Sequence, residues 1–134
     1  MSIKLESQSG VTLENPTPAE IERVLDGLDG VDESYASLTQ RDGSYIQVGG
    51  GPSEFTVELR KIGTSGSFCH LKAYRNDMDL IGDTVLIIGG VPVNIKTNQK
   101  LNLSMVKRLF TSFTTFKEFD RGISWLDISQ MFVE

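Results

Sequence analysis

Apolar residues first fall into a helical rhythm after Pro18. Ile21, Val24, Leu25 and Leu28 recur at i, i+3, i+4 and i+7 and make one apolar face. The start of this segment is marked by local chemistry. Thr17 offers an N-cap hydroxyl, Pro18 suits the first helical position, and Glu20 completes a capping box. Gly27 weakens the run and Gly30 ends it, which predicts a helix over 18–28. Upstream, residues 3–13 alternate weakly and predict one short edge strand.

From Ser34 to Arg75 the period changes to two. Tyr35–Thr39 and Tyr45–Val48 flank Arg41-Asp42-Gly43-Ser44, a hairpin signal with Asp-Gly at the bend. Phe55–Arg60 alternates apolar with polar, as a half-buried antiparallel strand does. Gly63–Gly66 reads as a turn and Phe68–Tyr74 as the next strand. Val85–Ile88 and Val91–Ile95, joined by Gly89-Gly90, form a further hairpin whose second arm Pro92 pushes to an edge.

Helical spacing returns with Met105, Val106, Leu109, Phe110 and Phe113, for which Ser104 is the expected cap. The helix is expected to end between Phe116 and Phe119. Gly122 then leads to a terminal strand at 123–128, anchored by Trp125. Together these elements predict one α+β domain: a meandering antiparallel sheet with two main helices packed on one face.

Composition narrows the class. The chain has 134 residues, 39% hydrophobic and 23% charged, enough to bury a core without staples. A lone cysteine, Cys69, excludes an intrachain disulfide and fits a reducing compartment. The first residues lack a basic-then-apolar layout, and the longest apolar run, Val85–Val93, is too short to span a bilayer. A cytoplasmic protein is expected. Net charge is −5, unevenly spread. Residues 1–58 carry eleven acids and three bases, whereas residues 59–134 carry seven acids and ten bases. The acidic half disfavours nucleic acid and favours a basic protein partner by steering.

Candidate chemistry is sparse. Gly49-Gly50-Gly51 resembles a phosphate loop, but Pro52-Ser53-Glu54 follows where a lysine and a helix are needed. A structural turn or bulge is the competing reading. His70 is the single histidine, and its neighbour Cys69 would point to the opposite face of a strand, so neither a metal site nor a nucleophile pair is expected. Asp26, Asp29, Asp32 and Glu33 cluster at the end of the first helix. Their spacing does not fit a calcium loop, which leaves a solvated face or a docking patch. Asp77, Asp79 and Asp83 read as a loop rather than a metal turn. Phe110, Phe113, Phe116 and Phe119 read as core, with one ring reaching the surface. No residues assemble a nucleophile, a base and an orienting group, so binding rather than catalysis is expected, with no cofactor.

Several segments in order resemble a known family. They are the helix from Pro18 to Leu28-Asp29-Gly30 and the Leu38 strand, followed by Asp42-Gly43-Ser44-Tyr45-Ile46-Gln47-Val48-Gly49-Gly50 and Phe55-Thr56-Val57-Glu58. A phenylalanine-rich helix, Gly122 and Trp125-Leu126-Asp127 complete the set. The chain in this respect resembles the first-numbered immunity protein family of bacterial polymorphic toxin systems, over about residues 15–130. The resemblance implies a small α+β protein that neutralises a cognate toxin C-terminal domain, often a nucleic-acid deaminase or nuclease. Expected contacts are Asp26, Asp29, Asp32, Glu33 and Glu54, with Tyr45 as an aromatic anchor. Two other readings stand beside it. One is a small-molecule or nucleotide-binding domain using Gly49–Gly51, and the other a subunit docking through its phenylalanine-rich helix.

Overall fold

The computed structural model describes residues 2–78 and 82–132. Strand alternation sorts side chains onto two faces, and the faces determine the layers. In chain order the elements are β1 (Ile3–Ser7), β2 (Thr12–Glu14), α1 (Pro18–Asp26), β3 (Tyr35–Gln40), β4 (Tyr45–Gly50), β5 (Phe55–Ile62) and β6 (Phe68–Arg75). There follow β7 (Asp83–Ile88), β8 (Val91–Lys96), α2 (Leu103–Thr115) and β9 (Ile123–Asp127). Short 3-10 turns occupy Thr97–Gln99 and Ser129–Phe132.

Seven strands form one antiparallel sheet in the order β2-β1-β3-β4-β5-β6-β9. Strands β7 and β8 leave the meander and pair only with each other. One sheet face carries Leu5, Leu38, Ile46, Val48, Val57 and Leu59, all buried. Both helices pack on it, α1 through Ile21 and Leu25, and α2 through Val106, Leu109, Phe110 and Phe113. Burying each such side chain contributes about 1.5–3 kcal/mol, so this layer dominates stability. The α+β expectation is met. The opposite face carries Tyr35, Tyr45, Glu58, Arg60 and His70, and the β7–β8 hairpin lies over part of it. Leu86 and Ile88 of β7 press against Gly50 and Gly49 at the end of β4.

Three expectations are corrected. Residues 3–13 are two strands, not one, because the Ser7 amide bonds the Val11 carbonyl and Gly10 turns at φ 92°. The edge is then β2, and β1 is interior. Helix α1 has the predicted Thr17 capping box but ends at Asp26 with Gly27 as its C-cap. Helix α2 is capped by Asn102, whose Oδ1 accepts the Met105 amide at 2.9 Å, rather than by Ser104. The expectation for Pro92 holds: its strand β8 is an edge, in a two-stranded hairpin. Of the four phenylalanines, Phe110 and Phe113 are core, Phe119 packs edge-on to Trp125, and Phe116 is the exposed ring.

Candidate functional site

Two glycine segments, Leu28-Asp29-Gly30 and Gly49-Gly50-Gly51, meet beside the acidic loop Asp29–Glu33. A Cβ on Gly51 would lie 2.7 Å from the Leu28 carbonyl oxygen, so only glycine allows the β4–β5 loop to close on residues 28–30. Glu54 lies three residues beyond Gly51, whose amide donates to its carbonyl at 2.9 Å.

Within the loop, the acids serve different ends. Asp29 Oδ1 accepts the amides of Val31 at 2.8 Å and Glu33 at 3.0 Å. The Glu33 and Val31 N–H groups hold the Asp29 carboxyl below its ordinary range. Glu33 Oε1 accepts the Ser9 amide at 2.6 Å and ties the loop to the β1–β2 turn. Asp26 reaches across to α2 and pairs with Lys107 at 2.7 Å. That bond pushes the Lys107 ammonium above its ordinary range. Glu54 stands 3.8 Å from Lys100. Asp32 is exposed and has no side-chain hydrogen bond or ion pair among the described residues.

Tyr45 is not part of this end. It stands at the start of β4, across from Arg60 and then His70 in the strand register. Its ring meets the His70 ring edge-on at 6.0 Å, and the Arg60 guanidinium lies 5.8 Å from its centroid. This second cluster was not foreseen. His70 Nε2 is 2.6 Å from Glu58 Oε1, and Arg60 Nε donates to His70 Nδ1 at 3.0 Å. Because Arg60 has only protons to give, the imidazole proton sits on Nε2 and points at Glu58. The terminal turn caps the group. Phe132 stacks on His70 at 4.3 Å and on Arg60 at 4.9 Å, and Ser129 Oγ accepts the His70 amide. His70 is 1% exposed and both ring nitrogens are engaged, so the arrangement holds three strands and the terminal turn together.

The glycine loop has little left to offer a phosphate. The Gly50 amide donates to the Ser34 carbonyl at 2.8 Å and the Gly51 amide to the Glu54 carbonyl at 2.9 Å. A strand follows, not a helix. A groove of about 770 Å³ runs along α2, where Arg108 pairs with Asp120 and Lys107 with Asp26. A cavity of about 120 Å³ beneath the hairpin is lined by Tyr35, Gln47, Thr56 and Glu58. Asp77 is held by Arg75 and Asp83 by Lys96, while Asp79 lies outside the described residues. Among the described residues, no three His, Cys, Asp or Glu side chains converge on a common point suited to a metal. No described helix is long and apolar enough to cross a membrane.

In comparisons with family models, curated proteins and solved structures, nothing matches this chain.

Proposed function

We propose that the chain is an immunity protein, an inhibitor that binds and neutralises one bacterial toxin domain acting on nucleic acid as a deaminase or nuclease. The observation that carries this reading is the junction of Gly30 and Gly51. Leu28-Asp29-Gly30, one of the segments on which the family resemblance rests, and Gly51, which directly follows another, Asp42–Gly50, close on one another there without room for a side chain. The acids stand around that junction, and a toxin with a basic substrate cleft complements them.

Within this reading the acids divide their roles. Asp32 and Glu54 present carboxylates to the partner. Asp29 and Glu33 shape the loop, and Asp26 is steadied by Lys107. Tyr45 stiffens the His70 cluster, away from the acids. No specific observation favours the nucleotide-binding reading, since the loop amides are engaged.

The test is a pull-down of the purified chain against the C-terminal domain encoded immediately upstream. Stoichiometric binding with loss of that domain's toxicity is the expected result. A domain that stays toxic when both are made together, and does not bind, overturns the proposal.

A further inference from the structure

On three neighbouring strands the face that packs on the helices turns from apolar to polar at one end. Ala36 and Leu38 give way to Gln40, Val57 and Leu59 to Lys61, and Ile46 is preceded by Ser44. Opposite this end stand the last turn of α2 and the residues after it. A pocket of about 360 Å³ lies between the two layers, lined by Leu59, Phe113, Phe116 and Phe119 together with Gln40, Ser44, Lys61 and Lys117. Apolar walls with a few polar groups, at this volume, are the make-up of a small-ligand site.

Phe116 is the unusual wall. It caps α2 at φ 57° and ψ 29°, the left-handed conformation that glycine or asparagine ordinarily takes at a helix end. Its side chain is 58% exposed, so core burial does not explain a phenylalanine there. Capping does not explain it either, since glycine serves that geometry without strain. A strained residue with no structural gain marks a place of use.

The charges at the pocket have one sign. Lys61 and Lys117 are exposed, and neither forms an ion pair among the described residues, whereas Lys96, Lys100 and Lys107 each pair with an acid. Among the described residues no carboxylate lines the pocket. A lysine beside a helix C-terminus also suits the macrodipole. That role accounts for Lys117, but not for Lys61 on β5 or for Phe116.

The structure assigns this pocket to a small amphipathic anion, a carboxylate on an apolar chain or ring. The apolar body lies against Leu59, Phe113, Phe116 and Phe119, and the carboxylate faces Lys61 and Lys117. A cation of the same shape is repelled by both lysines, and a neutral one gains nothing from them. This inference goes beyond toxin binding and does not depend on it.

The probes are octanoate, octanol and octylammonium, which share one chain and differ in charge. Each is titrated below its micelle-forming concentration into the nitrogen-labelled chain, and amide shifts are followed. Octanoate is expected to move the amides of the pocket residues and to bind about fivefold more tightly than octanol, the worth of two exposed ion pairs. Octylammonium is expected to bind more weakly still. The double variant Lys61→Gln, Lys117→Gln is expected to abolish the preference for octanoate. Phe116→Gly is expected to keep or raise the melting temperature, because glycine relaxes the cap. The same variant is expected to weaken octanoate roughly tenfold through lost apolar contact. Shifts scattered over the surface, equal binding of the three probes, or undiminished binding to Phe116→Gly overturns the assignment.

Discussion

Gly51 lies so close to Leu28 that a Cβ at position 51 would stand 2.7 Å from the Leu28 carbonyl oxygen and 2.9 Å from the Gly30 amide nitrogen. The neighbouring atoms are backbone and cannot swing aside as a flexible side chain can. Gly51 also has φ +119°, a conformation L side chains rarely adopt. Two separate penalties therefore fall on one position, and the acidic end depends on both being avoided.

The contact can be separated from the backbone angle by comparing two glycines. Gly51→Ala is expected to destabilise by about 3 kcal/mol, from left-handed strain together with overpacking. Gly66 also has positive φ, at +79°, but nothing lies within 4 Å of its would-be Cβ. Gly66→Ala is then expected to cost about 1 kcal/mol, from conformation alone. Urea denaturation of both variants reads the difference; equal losses would remove the close approach from the account.

The His70 cluster makes a spectroscopic prediction. Nitrogen shifts of the imidazole are expected to show a protonated Nε2 and a bare Nδ1, because Arg60 donates to one and Glu58 accepts from the other. His70→Ala leaves a cavity and strands a guanidinium and a carboxylate, and is expected to cost about 3 kcal/mol. Phe132 packs on the same ring, so near-native stability for His70→Ala with an unmoved Phe132 would contradict a cluster that holds the terminal turn.

What the sequence made legible was local. Thr17, Pro18 and Glu20 act within one helical turn, and Asp42-Gly43 within one bend, so both signals survive without knowledge of the rest. Alternation also placed Glu58 and Arg60 on one face of β5. Their meeting with His70 depends on the β5–β6 register, and the Phe132 cap arrives from the far end of the chain. The apolar run Val85–Ile88 announced a strand but not its partner. Whether it joins the main sheet or lies across it is decided by Gly49 and Gly50, which leave room for Ile88 and Leu86. The acidic residues were visible as charge, while the inward use of Asp29 and Glu33 depends on a loop conformation that composition does not encode.

Helix capping gives a compact test of one such mismatch. Ser104 was the expected cap of α2, but the side chain that bonds a free helix amide is Asn102. Asn102→Ala is expected to cost about 1 kcal/mol, since it orphans the Met105 amide. Ser104→Ala is expected to leave stability within about 0.5 kcal/mol, as an exposed change in the first turn. The reverse ranking in chemical denaturation would place the cap at Ser104.

Asp29 carries the acid sensitivity of the proposed toxin-facing loop. Its folded carboxyl titrates below the ordinary aspartate value of 3.8, because the charged form accepts the Glu33 and Val31 amides. A lowered folded pKa means that the unfolded chain binds the proton more readily. The stabilisation is therefore complete above that ordinary value and is lost as pH falls through the lower folded one. Between pH 5 and pH 2.5 the Val31 and Glu33 amides are expected to lose hydrogen-exchange protection, corrected for intrinsic exchange, before the strands of the core do. Asp29→Asn keeps an acceptor oxygen but has no charge to titrate. It is expected to leave the loop's residual protection flat across the same range. A loop that loosens equally in the variant would assign the acid response to another carboxylate.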